Sequence, residues 1–137
     1  MKNKVLVIAL ALVLVFSFTA AAFADSGIQP LGTVGVHFAI ERTSGTTAEA
    51  EVIVDFSGVA DEYNVIVYLQ KLVNGTWKND NTNPDYVFYN NGFNSDSCFF
   101  THNYNSLTYG TSYRLMVISV DKRGTSDYRT TTYSNLF

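Results

Sequence analysis

With Cys98 as the only cysteine, the chain can form no intrachain disulfide, so its core has to be held by apolar packing. Histidine is nearly absent too. His37 and His102 are the only two, which leaves few ways to build a zinc site or to pair a nucleophile with a base. Charge is sparse, at 15% Asp, Glu, Lys and Arg, and scattered rather than blocked. No basic cluster exists to neutralise phosphates, which argues against nucleic acid or an anionic membrane surface as a partner. The chain has no G-x-S-x-G, H-E-x-x-H, P-loop or G-x-G-x-x-G motif.

The one long apolar run lies at the N-terminus. Lys2 and Lys4 precede Val5 to Phe16 (VLVIALALVLVF), and Ala22-Phe23-Ala24 is a small-x-small site before Asp25. These three features predict a bacterial-type secretory signal, a helix over residues 1–24, with cleavage after Ala24. Twelve apolar residues fall short of the ~20 that span a bilayer, which weighs against the alternative of an uncleaved anchor. The expected product is secreted and starts at Asp25, outside the cytoplasm and free of the membrane. Losing Lys2 and Lys4 leaves seven basic against twelve acidic residues, a net charge of −5. Residues 25–32 read as a flexible lead-in, and residues 33–137 as one domain.

From Thr33 onward the pattern has period two. Val34, Val36, Phe38 and Ile40 alternate with Gly35, His37, Ala39 and Glu41. Ala50, Val52, Val54 and Phe56 do the same, and after a break at Ser57 to Glu62 so do Tyr63, Val65, Val67 and Leu69. Asn74-Gly75 is a two-residue hairpin signal leading into Thr76 and Trp77. Further strands are expected at Tyr86 to Tyr89, Ser97 to Tyr104, Tyr113 to Val120 and Tyr128 to Tyr133, with polar loops over Asn79 to Pro84 and Asn90 to Asp96. No helical period follows the signal. About seven short strands near ten residues apart predict an all-β, antiparallel β-sandwich.

The segment Leu107-Thr-Tyr-Gly-Thr-Ser-Tyr113 resembles the L-x-P-G-T-x-Y segment of fibronectin type III modules, with Tyr109 where the family has Pro. The resemblance implies an immunoglobulin-like sandwich in which Leu107 and Tyr113 are structural. The Tyr113 hydroxyl would bond the backbone upstream, and Phe56 would stand where such modules bury a Trp. The segment from Trp77 to Ser97 is longer than the family pattern. The chain is also loosely similar to small secreted proteins of unknown function from Gram-positive bacteria, through FADSGIQP, the S-G-T-T turn and the Asn-Gly-Thr-Trp hairpin.

Catalysis is not expected. Cys98 and His102 on one strand would stand about 13 Å apart at ~3.3 Å per residue, too far to work as a pair. Both histidines read as surface or rim residues. Glu49 and Glu51 share a strand face and could mimic a carboxylate pair, but a solvated face explains them better. Asn79, Asn81, Asn83 and Asp85 alternate like calcium ligands, yet three are neutral amides and no bidentate Glu follows, so Asx turns fit better. No metal or cofactor is implied.

What remains is aromatic. Trp77, Tyr86, Phe88, Tyr89, Phe93, Phe99 and Tyr104 gather where the chain departs most from the module pattern. They are either extra core or an exposed face for an extracellular protein or a glycan. On the second reading Trp77, Tyr86, Tyr89 and Phe93 are the expected contacts of a non-enzymatic binding or adhesion module. Cys98 reads as a small buried residue. The alternative functions are a cell-wall or polysaccharide-binding module using exposed aromatics, and an extracellular structural subunit that self-associates through Cys98 or an edge strand.

Overall fold

A computed structural model describes residues 32–137; the signal sequence and most of the lead-in lie outside them. Among the described residues there are six strands: β1 (Thr33–Arg42), β2 (Ala48–Val73), β3 (Thr76–Asn79), β4 (Val87–Tyr104), β5 (Tyr113–Arg123) and β6 (Ser126–Tyr133). All pair antiparallel in one hydrogen-bonded sheet, in the order β1-β2-β5-β6, with β3 and β4 also on β2.

The expected breaks at Ser57 to Glu62 and Asn90 to Asp96 are not loops. β2 and β4 run through both and remain paired with each other on either side. Asp55 pairs with Ser97 and Ala60 with Ser95, so Phe56 to Val59 on β2 face Asp96 alone. The extra residues on β2 lengthen the outside of a bend, and Asn94 on β4 takes the inner turn with φ 50°, a left-handed conformation that Asn tolerates. Asp121, fully buried, is held by Arg123, whose guanidinium also donates to Gly58 O at 3.0 Å and ties β5 to this bend.

The bend gives the halves of β2 different neighbours. Residues 48–56 run between β1 and the second half of β4, while residues 62–68 run between the first half of β4 and β5. Inward side chains from both halves share one core: Ala48, Ala50, Val52, Val54 and Phe56 with Val65, Val67 and Leu69. Phe100, Tyr104, Tyr113, Leu115 and Val117 complete it. The alternation of β1 holds from Val36 onward. Val34 breaks it and is exposed, because the register with β2 slips between Thr33 and Gly35. The β2–β3 hairpin turns on Asn74 (φ 51°) and Gly75 (φ 76°), the two positive φ values of a type I′ turn.

Candidate functional site: an aromatic outer face

The face of the sheet opposite the core is built by the β-pleat. Residues paired directly across an antiparallel ladder point the same way, so the register of β4, β2, β5 and β6 stacks their outward side chains in rows. One row is Val87, Tyr68, Met116 and Tyr133, and the next is Tyr89, Ile66, Ile118 and Thr131. Two polar rows follow: Asn91, Asn64, Val120 and Arg129, then Phe93, Glu62, Lys122 and Asp127. Lys122 and Glu62 close an ion pair at 3.3 Å in the last row. Tyr89 and Phe93 are 63% and 71% exposed at one border of this face, and Tyr133 is 48% exposed at the other. Ile118 in the middle is 9% exposed, covered by its outward neighbours.

Trp77 belongs to the same face through its pairing with Leu72, but its ring is not open. The Arg114 guanidinium carbon lies 4.5 Å from the Trp77 centroid and 4.1 Å from that of Tyr133, so the cation is held between two rings. Arg114 Nε donates to Gln70 Oε1 at 2.9 Å, and Gln70 Nε2 donates to Asn79 Oδ1 at 3.0 Å. The four expected contact residues therefore divide. Tyr89 and Phe93 are open, Trp77 is half-buried beneath Arg114, and Tyr86 is half-buried against the core. Of the other aromatics in that segment, Phe99 is exposed on the second half of β4, while Phe88 and Tyr104 pack inward.

Sequence reasoning missed Arg114, Met116 and Tyr133. The signal was present in β5, which is apolar at alternate positions of both parities and so has to serve two apolar surfaces. What the sequence lacked was the register that brings Met116 beside Tyr68 and Tyr133.

Leu107 and Tyr113 are both buried. Tyr113 accepts a hydrogen bond from the Thr108 N–H at 2.9 Å, five residues upstream, and donates to Asp80 Oδ2 at 3.3 Å. Phe56 is buried and packs on Tyr63, ring centroids 5.3 Å apart. The loop from Asp80 to Tyr86 is tied inward. Asp80 takes Lys71 Nζ at 2.6 Å and the Thr82 hydroxyl at 2.7 Å, and Asn83 donates to Asn105 O. Burial by itself would raise the Asp80 carboxyl, but Lys71, Thr82 and Tyr113 together hold it below the usual range.

Glu49 and Glu51 project outward from β2, and Glu41 on β1 stands directly opposite Glu49. His37 is exposed with Nε2 3.2 Å from Asp55. His102 is not the rim residue expected. It lies half-buried between Phe88 and Tyr104, each ring 4.7 Å away, and among the described residues its Nε2 has no partner. Inward alternation along β4 put it there, and burial lowers its pKa despite the opposing pull of Asp85. Cys98 is 6% exposed, and burial, reinforced by Asp55, raises its thiol to about 11 against a backbone hydrogen bond from Val54. A groove of about 410 Å³ adjoins the aromatic outer face at Tyr133 and is lined also by Val36, Phe38, Ile40 and Leu136 among others.

Compared with known proteins, the chain matches no family model, no curated protein and no solved structure.

Proposed function

We propose that this chain is a secreted, non-enzymatic binding module that docks an extracellular protein or glycan on the outer face of β4, β2, β5 and β6. The observation that carries the reading is the pair of adjacent apolar rows, Val87-Tyr68-Met116-Tyr133 and Tyr89-Ile66-Ile118, on a face that no element of the described chain covers. A sheet face meant only for water alternates apolar inward with polar outward. Along the two apolar rows this sheet is apolar on both sides. Rings beside the amides of Asn64, Asn79 and Asn91 suit sugar stacking and hydroxyl recognition, and equally a protein hot spot.

The bent β2 and β4, whose halves share one core, fit a sandwich of the fibronectin type III or immunoglobulin kind. The bond from Thr108 to the Tyr113 hydroxyl supports that reading, because a tyrosine corner makes the same local link. The N-terminal signal features support secretion.

The test is co-sedimentation of the chain from Asp25 onward with isolated cell walls and insoluble polysaccharides, wild type beside the double variant Tyr68→Ala/Tyr133→Ala. Retention of the wild type and loss of the variant is the expected result for a glycan. If neither sediments, the glycan branch fails, and protein partners captured by wild type but not by the variant would carry the reading. Equal binding by both chains would sink this face as the site.

A further inference from the structure

We infer that two copies of this chain pair antiparallel along the free edge of β4, about a two-fold axis at Asn91. β4 is 18 residues long, and among the described residues its ladder is with β2 alone. Among the described residues, none of the remaining backbone–backbone hydrogen bonds reaches residues 87–104, and apart from Ser97, whose N–H and C=O are both bonded by the Ser95 hydroxyl, its other edge is a row of N–H and C=O groups without a backbone partner. Edge strands that must stay single carry Lys, Pro or a short length as protection. β4 has no Lys and no Pro, and from Val87 to Ser95 it has no charge at all. The other edges are marked: β1 by Glu41 and Arg42, β3 by Lys78, β6 by Asp127 and Arg129. For copies of a net-acidic chain, residues 87–93, the stretch before the bend at Asn94, form an edge where approach meets no like charge.

The sequence of that stretch also fixes the register. With Asn91 opposite its own copy, Tyr89 faces Phe93 of the second chain and Phe93 faces its Tyr89, so the two open rings of β4 cover each other twice. Shifting the axis to Asn90 or Gly92 sets each ring against Val, Asn or Ser instead. The paired sheet would run β6-β5-β2-β4-β4-β2-β5-β6, joining the apolar rows of the two copies into one surface. A single strand pair with four rings is a small interface, below about 1,200 Å², which implies a weak, micromolar dimer.

The six strands and the core of the described residues all lie within the chain from Asp25. Sedimentation velocity at about 100 μM suits an interface of this size. The expected result is a dimer that Asn91→Lys weakens about tenfold or more, because the two lysines would face each other across the axis. Asn91→Cys, oxidised, should give a covalent dimer, since directly opposed residues come within disulfide reach. Asn103→Cys, equally outward on the same strand, should not. Cys98 is buried and adds little background. The trapping result stands by itself if Asn91→Lys fails to fold. A wild-type monomer at this concentration overturns the proposal, and so does a dimer that Asn91→Lys leaves intact and Asn91→Cys does not trap. None of these readouts involves Tyr68, Tyr133 or a glycan, so failure here is separate from failure of the binding face.

Discussion

The hydroxyl of Tyr113 donates to Asp80 Oδ2 at 3.3 Å across 33 residues of sequence and locks the loop after β3 to the start of β5. The same oxygen accepts from Thr108 N–H, so one side chain closes its own loop and anchors another. Asp80 in turn holds Lys71 and Thr82, which makes the cluster a network rather than a pair.

Tyr113→Phe keeps the buried ring and removes both bonds, leaving Thr108 N–H and Asp80 Oδ2 without them. The expected cost is about 1–2 kcal/mol in urea unfolding, the range for losing hydrogen bonds in a buried setting. Asp80→Ala removes the partner of Lys71 as well and should cost about 2–4 kcal/mol. In the double variant the losses should fall short of additive, because the two residues share a bond. Additive losses would mean that the Tyr113–Asp80 bond contributes nothing.

Cys98 should be inert in the folded chain. With its thiol at about 11, roughly one molecule in a thousand is thiolate at pH 8. Burial shields that fraction further. Alkylation by iodoacetamide should be slow in buffer and faster by orders of magnitude in denaturant. Native labelling at the rate of a free thiol would mean that β4 opens there, and would revive a disulfide through Cys98 as a route to self-association.

The period-two runs and the Asn-Gly turn marked part of every strand, though about seven short strands were expected where six are found among the described residues. The inward set Ala50, Val52, Val54, Phe56, Val65, Val67 and Leu69 follows directly from alternation. The continuity of β2 and β4 was not legible. Ser57 to Glu62 and Asn90 to Asp96 are polar and Gly-containing, which locally reads as loop, and only the pairing of the two bends with each other keeps them in the sheet. The candidate face was half legible for a related reason. Composition pointed to the aromatics of residues 77–104, but alternation within one strand cannot say that Arg114 covers Trp77 or that Tyr133 stands beside Met116. Those facts belong to the register between strands, and long-range pairing leaves no local mark.

His102 predicts a pH dependence whose sign is fixed by its burial. Its folded pKa lies below the unfolded value of about 6.5, so the unfolded chain takes up the proton first. The stability it contributes is present above that value and is lost as pH falls from there through the folded pKa. Asp80, also depressed, contributes in a lower window, below the unfolded carboxylate value of about 3.9. Urea midpoints should therefore fall between pH 7.5 and pH 5 in the wild type. His102→Leu, whose side chain suits the slot between Phe88 and Tyr104, should show a smaller fall over the same range. An identical slope in both chains would assign the acid sensitivity to other groups.

Trp77 is the only tryptophan, so its fluorescence reports the Arg114 stack without interference. Arg114→Ala removes the cation between Trp77 and Tyr133 and the bond to Gln70 Oε1. The cation–π contacts are worth about 0.5–2 kcal/mol at a partly exposed site, so the loss in stability should be small. The spectroscopic change should be large by comparison. With the guanidinium gone, one ring face opens to water, acrylamide quenching rises and the emission maximum moves to the red. Arg114→Lys keeps the charge but not the flat surface that covers an indole, and should fall near Ala in quenching. If Arg114→Ala leaves quenching unchanged, Trp77 is covered by something else, and the open part of the binding face does not end at Tyr133.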